Sequence, residues 1–185
     1  MSAASPDKQR FCMTRGNARE LAVHLIYGRN FTGEEPEQVV STRLDKEYYP
    51  QLGPENDIYL DRPSSSQLRY IDTVVAGVVN REEELNAQIQ KFSIGWDVSR
   101  ISRLTRSIMQ LAIYEILFVK DVPTGVAISE AVRLSKKYDS DETGSFVNGI
   151  LGSFARSLDN PAPQEVPVQE PSEEDSAEEP AAEEL

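Results

Sequence analysis

Residues 100–120 read RISRLTRSIMQLAIYEILFVK, and the way apolar side chains fill this stretch decides the fold. It opens amphipathic, with Ile101, Leu104 and Ile108 recurring at helical spacing on one face. From Leu111 to Val119 it is apolar nearly all round, with Glu115 as the exception. A helix without a polar face has to be enclosed by other helices. A central, buried helix running to about Lys120 is therefore predicted, with Asp97 or Ser99 as its N-cap.

The flanking text reads as helix in both directions. Pro123 breaks the central helix, and Thr124 opens another that ends near Tyr138, with Ala127, Ile128, Ala131, Val132 and Ser135 facing inward. After a polar turn at 139–143, a last helix buries Val147, Ile150, Leu151, Phe154 and Leu158. Upstream, Thr14 caps a first helix to about Tyr27, whose stripe is Ala18, Leu21, Ala22, Leu25 and Ile26; Gly28 and Asn30 are its stop signals. Pro36, Pro50, Pro54 and Pro63 interrupt residues 31–63, leaving room for a short helix around 37–48. Ser64 and Gln67 fit a capping box. The stripe after it runs through Ile71, Val74, Val75 and Val78 to Leu85, Ile89 and Phe92, with a break expected near Asn80. No stretch alternates as a strand does, and nothing repeats. The expectation is an all-α domain of six or seven helices over 14–158, between a flexible N-terminus at 1–13 and a tail at 159–185.

The net charge of −12 belongs mostly to that tail, which holds ten of the 31 acidic residues and no basic one. Rich in Pro, Glu and Ala, it has too few large apolar groups to offset the entropy of ordering, and is expected to be disordered. The remaining body is nearly neutral, so its affinity for polyanions depends on local patches. One cysteine, Cys12, and one histidine, His24, cannot build a usual zinc site, and no metal or cofactor is expected. No apolar run reaches the length of a membrane span, and the N-terminus lacks a secretory signal; a cytoplasmic address is expected. His24, off the first apolar stripe and without a nucleophile at motif spacing, is expected on the surface. The glycines of 144–149 follow no strand and lack a phosphate-loop lysine, and Glu82–Glu84 fall on a solvated face. Nothing here amounts to catalysis. The residues describe a protein that binds other macromolecules.

Binding features are local. Lys8, Arg10, Arg15, Arg19 and Arg29 are opposed only by Asp7 and Glu20, and Arg15 and Arg19, four apart, share a helix face where phosphates would dock. Arg100, Arg103 and Arg106 form a second row, expected to engage in surface salt bridges. Tyr27 and Phe146 are candidates for stacking on unpaired bases, although such residues are more often core.

These motifs together resemble a known family. Residues 100–148, RISRLTRSIMQLAIYEILFVKDVPTGVAISEAVRLSKKYDSDETGSFVN, are similar to the C-terminal half of the NusB family of bacterial transcription antitermination factors. The pieces that carry the likeness are the arginine-led helix ending in LAIYE, the VPTGVAISEAV segment and the closing FVNGIL. Residues 13–27, MTRGNARELAVHLIY, resemble the opening of the same family. The likeness spans nearly the whole body, leaving out 31–63 and the tail. It implies two three-helix bundles packed across each other. It further implies pairing with NusE, a small-subunit ribosomal protein. The pair would grip the boxA element of single-stranded nascent RNA within an RNA polymerase elongation complex, notably on ribosomal RNA operons. Carried over by position, the RNA-binding residues would be Arg15, Arg19, Tyr27, Asn80, Arg81, Glu142 and Phe146, with Glu115 on the partner surface. The sequence departs from the pattern where Gly16 and Asn17 replace adjacent arginines, Ser145 a basic residue, and Gln110 an arginine. Fewer phosphate contacts imply weak RNA binding by the chain alone and useful binding beside its partner. Two other readings fit parts of the pattern. NusB-like domains also precede the catalytic domain of certain ribosomal-RNA cytosine methyltransferases, but an acidic tail follows here instead of a cofactor-binding domain. A scaffold without RNA binding would account for Gly16, Asn17 and Ser145.

Overall fold

The computed structural model describes residues 13–53, 56–93 and 101–160. Its seven α-helices among these are α1 (Arg15–Thr32), α2 (Pro36–Arg43), α3 (Ser65–Asn80), α4 (Glu82–Phe92), α5 (Arg103–Phe118), α6 (Thr124–Tyr138) and α7 (Asp141–Asp159). Helices α1, α2 and α3 pack on one another; α5, α6 and α7 form a second group with α4 laid alongside. Helix α5 touches α1, α3, α4, α6 and α7, and every residue from Ser107 to Glu115 is buried. The expectation of an enclosed helix holds for that part. Its end does not follow: Leu117 and Phe118 are 36% and 42% exposed.

Local chemistry explains where each helix begins. Thr14 Oγ1 accepts the Asn17 N–H, and Ser64 and Gln67 exchange both bonds of a capping box. Ser102 Oγ caps α5 through the Thr105 N–H; Asp97 and Ser99 lie outside the described residues. Ser140 Oγ caps α7 through the Thr143 N–H, so Glu142 sits in the first turn of a helix and not in a loop.

Three boundaries differ from the sequence pattern, each for a physical reason. Helix α1 passes Gly28 and Asn30 and stops only at Gly33, whose φ of +68° suits a residue without a side chain. A glycine inside a helix costs about 1 kcal/mol. Contacts to α5 offset that cost: Asn30 Nδ2 donates to Ser107 Oγ at 3.3 Å, and Arg103 lies over the ring of Phe31. Helix α2 stops at Arg43, short of Tyr48, because Asp45 Oδ1 accepts the N–H groups of Glu47 and Tyr48 and bends the chain into a turn. The chain continues through two 3₁₀ turns, Tyr49–Leu52 and Asp57–Tyr59. The break expected near Asn80 falls at Arg81, between α3 and α4.

His24 is not a surface residue. Its ring lies between Tyr59 Oη at 3.1 Å and Tyr138 Oη at 2.7 Å, tying the connection after α2 to α1 and α6. Tyr138 donates onward to Glu20, which is 1% exposed and also accepts from Lys137 and Arg133. Burial would raise the Glu20 carboxyl, but the bonds from Lys137 and Tyr138 hold it below the ordinary range. With Tyr138 donating to Glu20, His24 donates from Nε2 to the Tyr138 oxygen, while Nδ1 shares a hydrogen bond with the Tyr59 hydroxyl. Burial lowers the His24 pKa.

A lowered histidine pKa means the unfolded chain takes up a proton that the folded one refuses. Stability should therefore decline as pH falls below about 6.5, the ordinary histidine value. Urea titrations at several pH values should show this decline in the wild type and a flatter profile in His24→Gln. A second expectation concerns Gly77, where a Cβ would lie 2.0 Å from Cζ of Tyr114. Gly77→Ala should destabilise by about 1–3 kcal/mol in urea melts, and Tyr114→Ala should cost less on that background than in the wild type.

Candidate nucleic-acid interface

The interface is organised by a charge pair inside the protein. Arg19 on α1 is 4% exposed and Glu115 on α5 is 0% exposed. Arg19 Nε and Nη2 donate to the two Glu115 oxygens at 2.8 and 2.9 Å, a bidentate fork, while Nη1 reaches Glu130 on α6 at 3.4 Å. Tyr70 on α3 donates its hydroxyl to Glu115 Oε1 at 2.8 Å. Burial alone would lower the Arg19 pKa; the bond to Glu115 and the surrounding negative charge keep it above the ordinary value. Burial and the Glu115 charge likewise push the Tyr70 hydroxyl far up, so it stays a donor.

This corrects two expectations. Arg19 presents no guanidinium to a phosphate, because its donors face carboxylates in the core. Glu115 has no surface for a partner to touch. Both act from behind the surface. The Tyr70 ring, fixed through its hydroxyl, carries the guanidinium of Arg15 at 4.0 Å from its centroid. Arg15 is exposed and pairs with no carboxylate among the described residues. Its charge is thus held in place without being neutralised.

The other expected residues lie elsewhere. Tyr27, half-buried, is twelve residues along α1 from Arg15, roughly 18 Å at the helical rise. Its ring meets Phe31 at 5.1 Å and 75°. Asn80 and Arg81 are exposed at the α3–α4 break, with Arg81 over the ring of Phe118 at 4.7 Å and 3.8 Å from Glu84. Glu142 and Phe146 come together in a groove of about 400 Å³ that Ile101, Ser102, Thr105, Asp139 and Thr143 complete. The structure therefore joins Glu142 with Phe146 and sets Arg15 apart at the far end of α1. The sequence reading missed Tyr70 and Phe31. Tyr27 and Phe31 are four apart, which would have placed them on one face had α1 been read past Gly28. Arg103 was expected in a salt bridge but stands 5.1 Å over the ring of Phe31 instead.

Comparison with known proteins gives a consistent picture. The model of the NusB family matches residues 16–156. The transcription antitermination protein NusB of Acetivibrio thermocellus is 40% identical over 144 residues, covering 78% of this chain and 90% of that protein. The crystal form of T. maritima NusB has a TM-score of 0.65 at 26% identity, over 79% of this chain and 93% of that one. A chain from a crystal structure of the antitermination factors NusB and NusE with double-stranded RNA shares the fold, with a TM-score of 0.60 at 24% identity over 77% and 96% of the two chains.

The buried pair generates its own test. Glu115→Ala leaves the Arg19 guanidinium enclosed and unpaired, and should lower unfolding free energy by about 3–5 kcal/mol. Combining Arg19→Met with Glu115→Leu should restore much of that stability, since neither charge then needs solvation. Guanidinium-chloride unfolding of the two variants measures both effects.

Proposed function

The chain belongs to the NusB family, and on that premise we propose that it is a non-catalytic transcription antitermination factor of the cytoplasm. It binds boxA-type single-stranded RNA together with the ribosomal protein NusE and joins the RNA polymerase elongation complex, supporting transcription of ribosomal RNA operons. The observation that carries this reading is the state of Arg15, a cation fastened to an aromatic ring and left unpaired by any described carboxylate. Such a group attracts phosphate at little ordering cost. Half-buried Tyr27, together with Phe146 beside exposed Glu142, supplies ring surface and polar contacts at the other end. Ring surface favours unpaired bases, because stacked duplex bases do not present their faces.

Arg19 contributes by positioning Tyr70 through Glu115, and so Arg15, without touching RNA. Asn80 and Arg81 lie where α3 gives way to α4, available to a strand passing that end. For NusE, the surface proposed on α5 is its exposed end, Leu117 and Phe118, with Arg81 across the latter ring.

Fluorescence anisotropy of labelled boxA-type RNA, titrated with the chain alone and with NusE, tests the reading against scrambled and duplex RNA. Selective binding that tightens with NusE is expected; equal affinity for scrambled RNA in both conditions would overturn it. Arg15→Ala should weaken binding to all single strands alike, and the slope of log K against log salt should shrink by about 0.7.

A further inference from the structure

Residues 161–185 lie outside the described residues and beyond the family match, which ends at 156. They hold nine of the chain's 31 acidic residues and no basic one, and seven of the nine fall between Glu173 and Glu184. Charge of one sign, tethered to a folded body, is drawn to whatever opposite charge the body leaves unpaired. Such charge stands where α1 and α3 begin. Gln67, in the first turn of α3, donates from Nε2 to the Met13 carbonyl and joins the two openings. Arg15 lies over the Tyr70 ring at 4.0 Å, and Arg69 precedes that tyrosine on α3. Both arginines are exposed and, among the described residues, pair with no carboxylate. Neither helix has an acidic residue in its first turn, and Asp72 is the only one in α3.

We propose that the acidic stretch 173–184 docks on Arg15 and Arg69 of its own chain and competes there with RNA. The competition rests on the RNA-binding reading above; the docking does not. Reach permits it. Along a fully extended chain, Glu173 is up to about 45 Å from Asn160 and Glu184 up to about 80 Å. A body of this size has a radius of gyration of about 15 Å, so the longest path over its surface is roughly 60 Å. Tethering holds the stretch at an effective concentration on the order of millimolar. Even a weak contact of several carboxylates is then well occupied at low salt. RNA that offers only phosphates has to displace it at a loss, whereas RNA that also gains base contacts overcomes it. The stretch thereby sharpens discrimination without touching a base.

The test compares the 185-residue wild type with a chain ending at Asn160 and with a charge variant of unaltered length. That variant carries Glu173→Gln, Glu174→Gln, Asp175→Asn, Glu178→Gln and Glu179→Gln, which separates charge from bulk. Circular dichroism and thermal melts check folding. Proton–nitrogen correlation NMR without RNA reads the docking itself. At about 20 mM salt, the Arg15 Nε–H and the Arg69 and Tyr70 amide signals should differ between wild type and both altered proteins; at about 300 mM the differences should vanish. Anisotropy of labelled scrambled RNA at low salt should show about 3-fold tighter binding by both altered proteins. Arg15→Ala should cost less affinity for that RNA in the 185-residue chain than in the chain ending at Asn160. Identical NMR signals in all three proteins, or differences confined to another face, would overturn the proposal and leave the RNA reading standing. Tighter binding on truncation alone, with the charge variant like wild type, would assign the effect to bulk and also overturn it. Differences at Arg15 with no RNA binding by any of the proteins would establish the docking and overturn the competition together with the RNA reading.

Discussion

The ion pair between Arg19 and Glu115 is the constraint from which the rest of the structure follows. It crosses from α1 to α5, and through Tyr70 and Glu130 it also reaches α3 and α6, so four helices meet at one carboxylate–guanidinium contact. Removing two charges from water is costly, and a buried pair adds little net stability over an apolar one. What the fork adds is register. Apolar side chains tolerate sliding of one helix along another, whereas two parallel N–H···O bonds have one geometry. Fixing α1 against α5 at Glu115 fixes what lies at both ends of α1: Arg15 over Tyr70 at one, Asn30 on Ser107 and Phe31 beneath Arg103 at the other.

Several cations among the described residues differ in what holds them. Arg29 is paired with Glu82, Arg133 with Glu20 and Glu130, and Lys137 with Glu20, and their charge is spent within the fold. Arg15 and Arg103 are held by rings. A ring restrains the guanidinium through its quadrupole yet leaves the net charge intact. A chain of net charge −12 can thus still present positive charge: the body is nearly neutral, and Arg15 and Arg103 are among its cations held without a carboxylate. Arg81 is intermediate, sharing the Phe118 ring and a long approach to Glu84.

Much of this was legible in the sequence, because it is local. Helical spacing located α1, α3, α5, α6 and α7, and the Ser64–Gln67 box needs only three residues of context. The belonging of the chain to its family was likewise legible, from several motifs in order. What the sequence could not express is pairing at a distance. Arg19 and Arg15, four apart, look equivalent on a helix; only Glu115, 96 residues away, makes one a core residue. Glu115 looked like an interruption in an apolar run, and His24 like a surface group, for the same reason: a polar residue is assigned to water until its partner is known. Phe31 was hidden by Gly28 and Asn30, whose stop signal is weaker than the tertiary contacts that carry α1 through them.

On the proposed function, the length of α1 sets how RNA is held. Arg15 and Tyr27 are twelve residues apart, roughly 18 Å along a rigid helix. An extended strand of a few nucleotides spans that distance. Few anchors so far apart make each contact weak on its own, since the strand between them must be ordered for little return. A second protein that contacts the intervening nucleotides changes the balance, because once one anchor is occupied the next binds at high effective concentration. On the proposed function, departures such as Gly16 and Asn17 would be tolerable on these terms, since a partner's contacts would make up affinity lost from one end of α1.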